Sequence, residues 1–427
     1  MNPVDAARVV PWLAAGAILA MWLAEVGLTR LNLRHVAAHA DAVPEAFRDS
    51  IDEATYARSV QYALARGRFS QVEDTCGAAV LLAVLSSGLL PWAQALFRAR
   101  FGDSPWSMAG WIFAIGLVLS LPEQPLDWFA QFRLEERFGF NTSSQGTWWL
   151  DRLKGLLLAA ALGYPVLVLL LALARRAGEA WWLWAWGALL GVQLLAALLF
   201  PVLILPLFNK FTPLPEGGLR DRLLALAART SFRATDIQVM DGSRRSRHAN
   251  AFFTGFGRFR KIVLFDTLVH QLAEPELEAV LAHEIGHFKK RHIQKRLAAH
   301  ALGSLAGFAV LAVLARQAWF YRAFGFEPGS LAPALLLFAL LAGVAGFWLS
   351  PLSNGWSRRH EYQADAYAAD IMGGSRSLVG ALRKLNENNL GNLTPHPLYS
   401  LFHHSHPPLV QREGALLARQ GPPRHGA

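Results

Sequence analysis

Cysteine is nearly absent: the 427 residues contain one, Cys76. One thiol can form neither an intramolecular disulfide nor a cysteine-based zinc site, so Cys76 reads as a small packing residue at the edge of an apolar block. Charge is scarce too. Asp, Glu, Lys and Arg together make up 17% of the chain while apolar residues reach 53%, whereas a soluble protein carries roughly a quarter charged residues. The shortage falls in long apolar blocks, which argues against two or three soluble domains and for a bilayer as solvent. Acidic side chains are the scarcer sign, 31 against 41 basic, a formal net charge of +10. No soluble module interleaves basic and aromatic residues, so nucleic-acid binding is excluded. The basic residues instead flank the apolar blocks.

A membrane span needs roughly 20 apolar residues. Candidates run near Val9–Leu28, Ala78–Leu96, Trp106–Leu121, Leu156–Leu173, Trp182–Leu207, Leu302–Phe320 and Leu331–Leu349, about seven in all. The other reading of each block, a buried helix of a large soluble protein, fails most clearly for residues 153–176, a run too long and uniform. The first block lacks a small-residue cleavage site and reads as a retained helix. Trp148, Trp149, Trp181, Trp182 and Trp184 stand at block edges, where indole rings favour the headgroup region. Segments 29–74, 122–155, 209–297 and 353–427 hold most of the Lys and Arg. An odd number of spans puts them all on one side, which should be cytoplasmic, with Arg175 and Arg176 opposite.

The motif LAHEIGHFKKRH carries His283, Glu284 and His287. On a helix, residues four apart share a face, so both imidazoles can reach one ion while Glu284 is displaced toward a metal-bound water. That is the arrangement of a zinc hydrolase, in which the metal acidifies the water and a carboxylate takes its proton. The bland reading is a surface helix with scattered His and Glu. A third ligand is then required, and SRRHEYQADAYAADIM offers Glu361, with Asp365 one turn further on. Asp365 is suited to hydrogen-bond the far nitrogen of a ligand imidazole. Alone, such a pair would read as a solvated helix face. His35 and His39 lack a carboxylate in a catalytic register and read as interfacial polar residues. His292, His300 and His360 also lie near the two motifs, and one of His403, His404 and His406 could donate to an oxyanion.

Taken with ERFGFNTSS, ILPLFNKFTPL, HANAFFTGFGRFRKIVLFDTL and FHHSHPPLVQR, these motifs make the chain resemble the type I CaaX prenyl endopeptidases, integral membrane zinc proteases. The resemblance spans nearly the whole chain. It implies a mainly α membrane protein of about seven transmembrane helices enclosing a water-filled chamber, with a cytoplasmic zincin-like α+β portion. It implies one Zn2+ on His283, His287 and Glu361, Glu284 as general base, Asp365 behind the ligands, His406 near the scissile carbonyl, and Asn250 holding the substrate backbone. The strand after Asn250 resembles an edge to which an extended peptide can add.

The expected division is 1–208, a membrane region with about five transmembrane helices; 209–297, a cytoplasmic catalytic segment with a β-hairpin and the HExxH helix, starting near Glu274; 298–352, two further transmembrane helices; and 353–427, a cytoplasmic segment with the third ligand. Expected partners are the lipid bilayer and peptide or protein substrates, lipidated CaaX-like ones included. The Ala-, Leu- and Arg-rich composition points to a bacterial inner membrane, where prenylated proteins are not generally made. Clearance of damaged membrane proteins is therefore the alternative task. An intramembrane protease is disfavoured because basic KKRH follows His287 and acidic AEPELE precedes the motif. A smaller heat-shock-type membrane protease is disfavoured by the number of spans and the SHPP stretch, and a catalytically silent scaffold because every expected position is filled.

Overall fold

The apolar blocks form helices, and the first and last, Val9–Leu28 and Leu331–Leu349, lie within helices much longer than themselves. The computed structural model describes residues 3–232, 234–254 and 260–419. Its membrane-side helices are α1 (Pro3–Ala38), α2 (Glu53–Ser86), α3 (Leu89–Phe101), α4 (Pro105–Ser120), α5 (Glu123–Phe129), α6 (Gln145–Leu158), α7 (Tyr164–Arg176), α8 (Trp181–Leu199) and α9 (Leu205–Phe208). Five described helices are long and apolar enough to cross a membrane, and seven are if each bent pair counts as one span. The expected block Ala78–Leu96 is one of the bent pairs: α2 and α3 meet at 58°. Gly88 lies between them with φ 73°, a left-handed conformation that only glycine adopts without cost.

The second half alternates between water and membrane. It contains β1 (Phe211–Pro213), α10 (Gly218–Arg229), β2 (Ala234–Met240), β3 (Ala251–Thr254), β4 (Arg260–Phe265), α11 (Asp266–Gln271), α12 (Glu274–Lys289), α13 (His292–Ala315), α14 (Ala318–Arg322), α15 (Leu331–Met372), α16 (Arg376–Asn388), α17 (Pro397–His403) and α18 (Leu409–Arg419). The strands form one sheet in the order β1-β2-β4-β3. β2 and β4 are parallel and the outer pairings antiparallel, which leaves β3 at an edge. β3 and β4 are the arms of the expected hairpin, with Phe252 opposite Val263; residues 255–259 between them lie outside the described residues.

Two helices run through the expected boundaries at 297/298 and 352/353. α13 contains the first and the 42-residue α15 the second. At 1.5 Å per residue α15 is about 63 Å long, twice the roughly 30 Å hydrocarbon core, so it stands well clear of the bilayer. One apolar cluster, with Trp111, Leu337 and Tyr321 fully buried, joins α4, α7, α8, α13, α14 and α15. A second, with Leu223, Ile237 and Ile285, packs the sheet against α10 and α12. The spans bury little of themselves: between 0% and 33% of each single helix's apolar window is covered. Between α2, α4, α5 and α15 lies a cavity of about 340 Å³ whose lining includes Glu73, Cys76, Glu123, Asp127 and Leu340. A neighbouring cavity of about 360 Å³ shares Glu73 and Asp127 and adds Arg66, Glu135, Arg152 and His248. Charged groups at membrane depth are tolerated where they face water inside the protein, so the helices enclose a polar chamber. Cys76 is therefore half-buried on a cavity wall, not a core packing residue as its composition suggested.

α12 and α15 pack closely against each other. A Cβ on Gly286 would lie 3.0 Å from Cα and 3.1 Å from O of Ala364, with Cβ of Tyr367 at 3.2 Å. Two of those three atoms are backbone and cannot give way cheaply. Gly286→Ala should therefore destabilise the protein by about 1–3 kcal/mol, read as a lower melting temperature in detergent. Gly414, on the exposed face of α18 with nothing within 4 Å, is the control: Gly414→Ala should stabilise by roughly 0.5–1 kcal/mol.

Candidate active site

α12 begins where Pro275 and Glu276 start a turn; the Glu276 carboxylate accepts the Ala273 N–H at 2.8 Å and is met by Lys384 Nζ at 2.8 Å. Two turns on, the helix presents His283 and His287 on the face turned to α15. Their Nε2 atoms lie 3.1 Å apart. From α15, Glu361 Oε2 comes to 3.5 Å of His283 Nε2 and Oε1 to 3.4 Å of His287 Nε2. The three residues offer ligand atoms within 4.8 Å of one another, the only such metal-competent group among the described residues. Glu361 is 2% exposed, and its Oε2 has no hydrogen-bond partner.

A cation fits this donor set. Two imidazole nitrogens and a buried carboxylate oxygen converge with no hydrogen between them to satisfy all three, an arrangement that is costly unless positive charge is supplied. The histidines report the same demand. Burial opposes charge on His283, yet the hydrogen bond to Asp365 and the facing Glu361 carboxylate lift it to about 9. Burial and the charge of His283 push His287 down to about 3. One positive charge is drawn in and a second refused. Two nitrogens, one oxygen and an open side are the donor pattern of catalytic divalent-metal sites.

Asp365, one turn beyond Glu361, accepts from His283 Nδ1 at 2.8 Å and is gripped by Arg412, Nε to Oδ2 at 2.8 Å and Nη2 to Oδ1 at 2.5 Å. Glu284 is half-buried beside the cluster; burial is the largest influence on its carboxyl and raises it above the usual range, His283 pulling it down and Glu361 adding to the rise. His406 Nε2 reaches 3.6 Å from Glu361 Oε1 with its side chain 66% exposed, so it borders the open side. It is delivered there by α15 itself, where Arg358 donates to the carbonyls of Ser400 at 3.1 Å and His404 at 2.7 Å. Asn250 makes none of these contacts. It is exposed at the head of the edge strand, its Oδ1 accepting the Ala251 N–H at 2.8 Å and its carbonyl the Phe265 N–H at 3.1 Å.

Residues 32–210 match the family model described as CAAX prenyl protease N-terminal, five membrane helices, and residues 213–420 match peptidase family M48. The CAAX prenyl protease 1 of Saccharomyces cerevisiae is 36% identical over 95% of both chains. The chain belongs to peptidase family M48. The CAAX prenyl protease 1 homolog of Homo sapiens is 32% identical over 88% of both chains. The crystal structure of S. mikatae Ste24p superposes with a TM-score of 0.88 at 33% identity, covering 95% of this chain and 98% of that one. As a member of family M48 the chain is a metalloendopeptidase of the membrane, crossing it several times.

Two neighbours of the site were not legible as such in the sequence. Arg412 is one arginine among many, and only the return of α18 against α15 makes it a buried partner of Asp365. His292 stood out as a nearby histidine without a role; it is fully buried, its Nδ1 3.0 Å from His287 Nδ1. His35 and His39 gather instead with His396, ring centroids 4.3 and 5.3 Å apart, away from the cluster. Removing Arg412 would leave Asp365 buried without its cation. Arg412→Leu should cost about 3–5 kcal/mol, seen as a lowered melting temperature, with Arg412→Lys intermediate because an ammonium cannot grip both oxygens.

Proposed function

We propose that the chain is a zinc endopeptidase that cleaves membrane-associated proteins near their C-termini, CaaX-like and lipidated substrates included, from the cytoplasmic face of a bacterial inner membrane. His283, His287 and Glu361 hold the ion. The observation that carries the reading is the convergence of their three ligand atoms within 4.8 Å, one residue away from the Glu284 carboxylate. Similarity to proteins named CAAX prenyl protease 1 supports the substrate class. The Lys- and Arg-rich segments 209–297 and 353–427 support the cytoplasmic placement.

When bound, zinc supplies a Lewis acid that acidifies water to a pKa of about 7 and polarises a carbonyl. The protein does the rest. Asn250 and the free edge of β3 hold the substrate backbone extended, adding it to the sheet as a further strand. Glu284, lifted by burial toward the working pH, takes the proton from the attacking water and returns it to the departing amide nitrogen. Asp365 holds the His283 ring in orientation. His406, on the open side, donates to the oxygen on which negative charge develops. The chamber admits the lipid-bearing end of the substrate while the peptide lies along the sheet edge.

The test is cleavage of farnesylated and unmodified C-terminal peptides by protein reconstituted in liposomes, with zinc measured alongside. Glu284→Gln should lower kcat by about 10²–10⁴-fold with zinc retained, whereas Glu361→Ala should lose the metal. Absence of zinc from folded wild type would end the metal assignment, and equal cleavage of both peptides would end the lipid preference. Separately, His406→Ala should lower kcat by about 10²–10³-fold with little change in KM or metal content.

A further inference from the structure

His287 reaches the cluster through Nε2, so that atom must keep its lone pair free for a cation, and the ring hydrogen must sit on Nδ1. The acceptor facing Nδ1 is His292 Nδ1 at 3.0 Å. If His292 Nδ1 accepts, its own hydrogen sits on Nε2, and Nε2 lies 2.9 Å from Gln363 Oε1. Of the two senses in which this chain can close, only this one leaves His287 Nε2 free for a cation. Were the Gln363 amide reversed to donate, His292 would carry its hydrogen on Nδ1. His287 would then carry its own on Nε2, facing His283 and blocking the ion.

We propose that Gln363 and His292 form a neutral relay that sets the tautomer of His287, and so governs how tightly this site holds its metal. The inference rests on the ligand assignment above and adds two residues to it. Its construction differs from that of the companion ligand. His283 is held by a carboxylate, an acceptor that cannot be reversed, backed by Arg412. His287 is held by an imidazole and an amide, each able to point either way.

The relay is built into the packing. Residue 292 begins α13 just after Arg291, whose φ of 57° turns the chain back on itself. His292 is 0% exposed and stacks on His360 with ring centroids 4.0 Å apart and planes 13° from parallel; Trp356 lies on His360 at 4.7 Å. The central imidazole is thus clamped in plane and shielded from water, which would otherwise supply alternative partners. Gln363 alone is exposed, so it can be substituted without disturbing a core.

Release of Zn2+ from the full-length protein to a chromogenic chelator tests this without reference to activity, with the absorption of the Co2+-substituted protein reporting ligand geometry. His292→Phe, which keeps a ring for His360 to stack on, should weaken metal binding about 10–100-fold. Gln363→Leu should move in the same direction. Gln363→Glu, an acceptor that cannot reverse, should release metal no faster than wild type. Wild-type release rates in His292→Phe and Gln363→Leu would overturn the relay, as would Gln363→Glu behaving like Gln363→Leu. His287→Ala keeps the readings apart: if it retains metal as wild type does, the ligand assignment fails; if it loses metal while the relay variants do not, the relay alone fails. Because the Gln363 variants alter an exposed side chain, misfolding of His292→Phe would not remove the test.

Discussion

The site depends on how closely α12 can lie against α15. Two histidines four residues apart supply only two donors, and the carboxylate that completes the group is on a helix that first passes through the membrane. Gly286, between the histidine pair, lets Ala364 and Tyr367 approach to within van der Waals contact of the α12 backbone. Interaxial distance follows the size of the side chains at the contact, and here Gly286 on one helix meets the buried Ala364 on the other.

Close approach also creates an electrostatic problem, and the site is organised around its solution. Glu361 and Asp365 are both 2% exposed, one turn apart on the same helix. Two buried carboxylates at that spacing repel unless each meets positive charge. Asp365 meets Arg412 bidentately and passes a hydrogen bond to His283. Glu361 has three imidazoles within 3.6 Å, yet one oxygen is still without a hydrogen-bond partner. The unsatisfied oxygen and the facing imidazole nitrogens are what a cation would resolve. Burial at the same contact raises the Glu284 carboxyl, and Glu361 adds to the rise.

Helix length links this chemistry to the membrane. Because α15 exceeds the hydrocarbon core twofold, its lower half belongs to the apolar cluster around Trp111 and Tyr321, while its upper half carries Glu361, Gln363 and Asp365. α13 does likewise, its first residue being His292. Glu361, Asp365 and His292 thus sit on extensions of the spans, while His283, Glu284 and His287 come from the separate helix α12.

Much of this was written locally. The HExxH face, the Glu361–Asp365 pair one turn apart, the start of α12 at Glu274 and the apolar blocks all follow from the 3.6-residue period and the length of a bilayer crossing, which involve only neighbours in the chain. Other features had no local signature. The position of Cys76 on a cavity wall, Arg412 against Asp365 and the contact of Gln363 with His292 each join segments tens to hundreds of residues apart. Spacing within a helix tells which side chains share a face; it is silent on which helix that face will meet. The sequence by itself determined the apolar spans, the HExxH spacing and the metallopeptidase class. Only the tertiary structure decided which buried charges pair, because pairing is set by the packing of distant helices and by the demand that no buried polar group go without a partner.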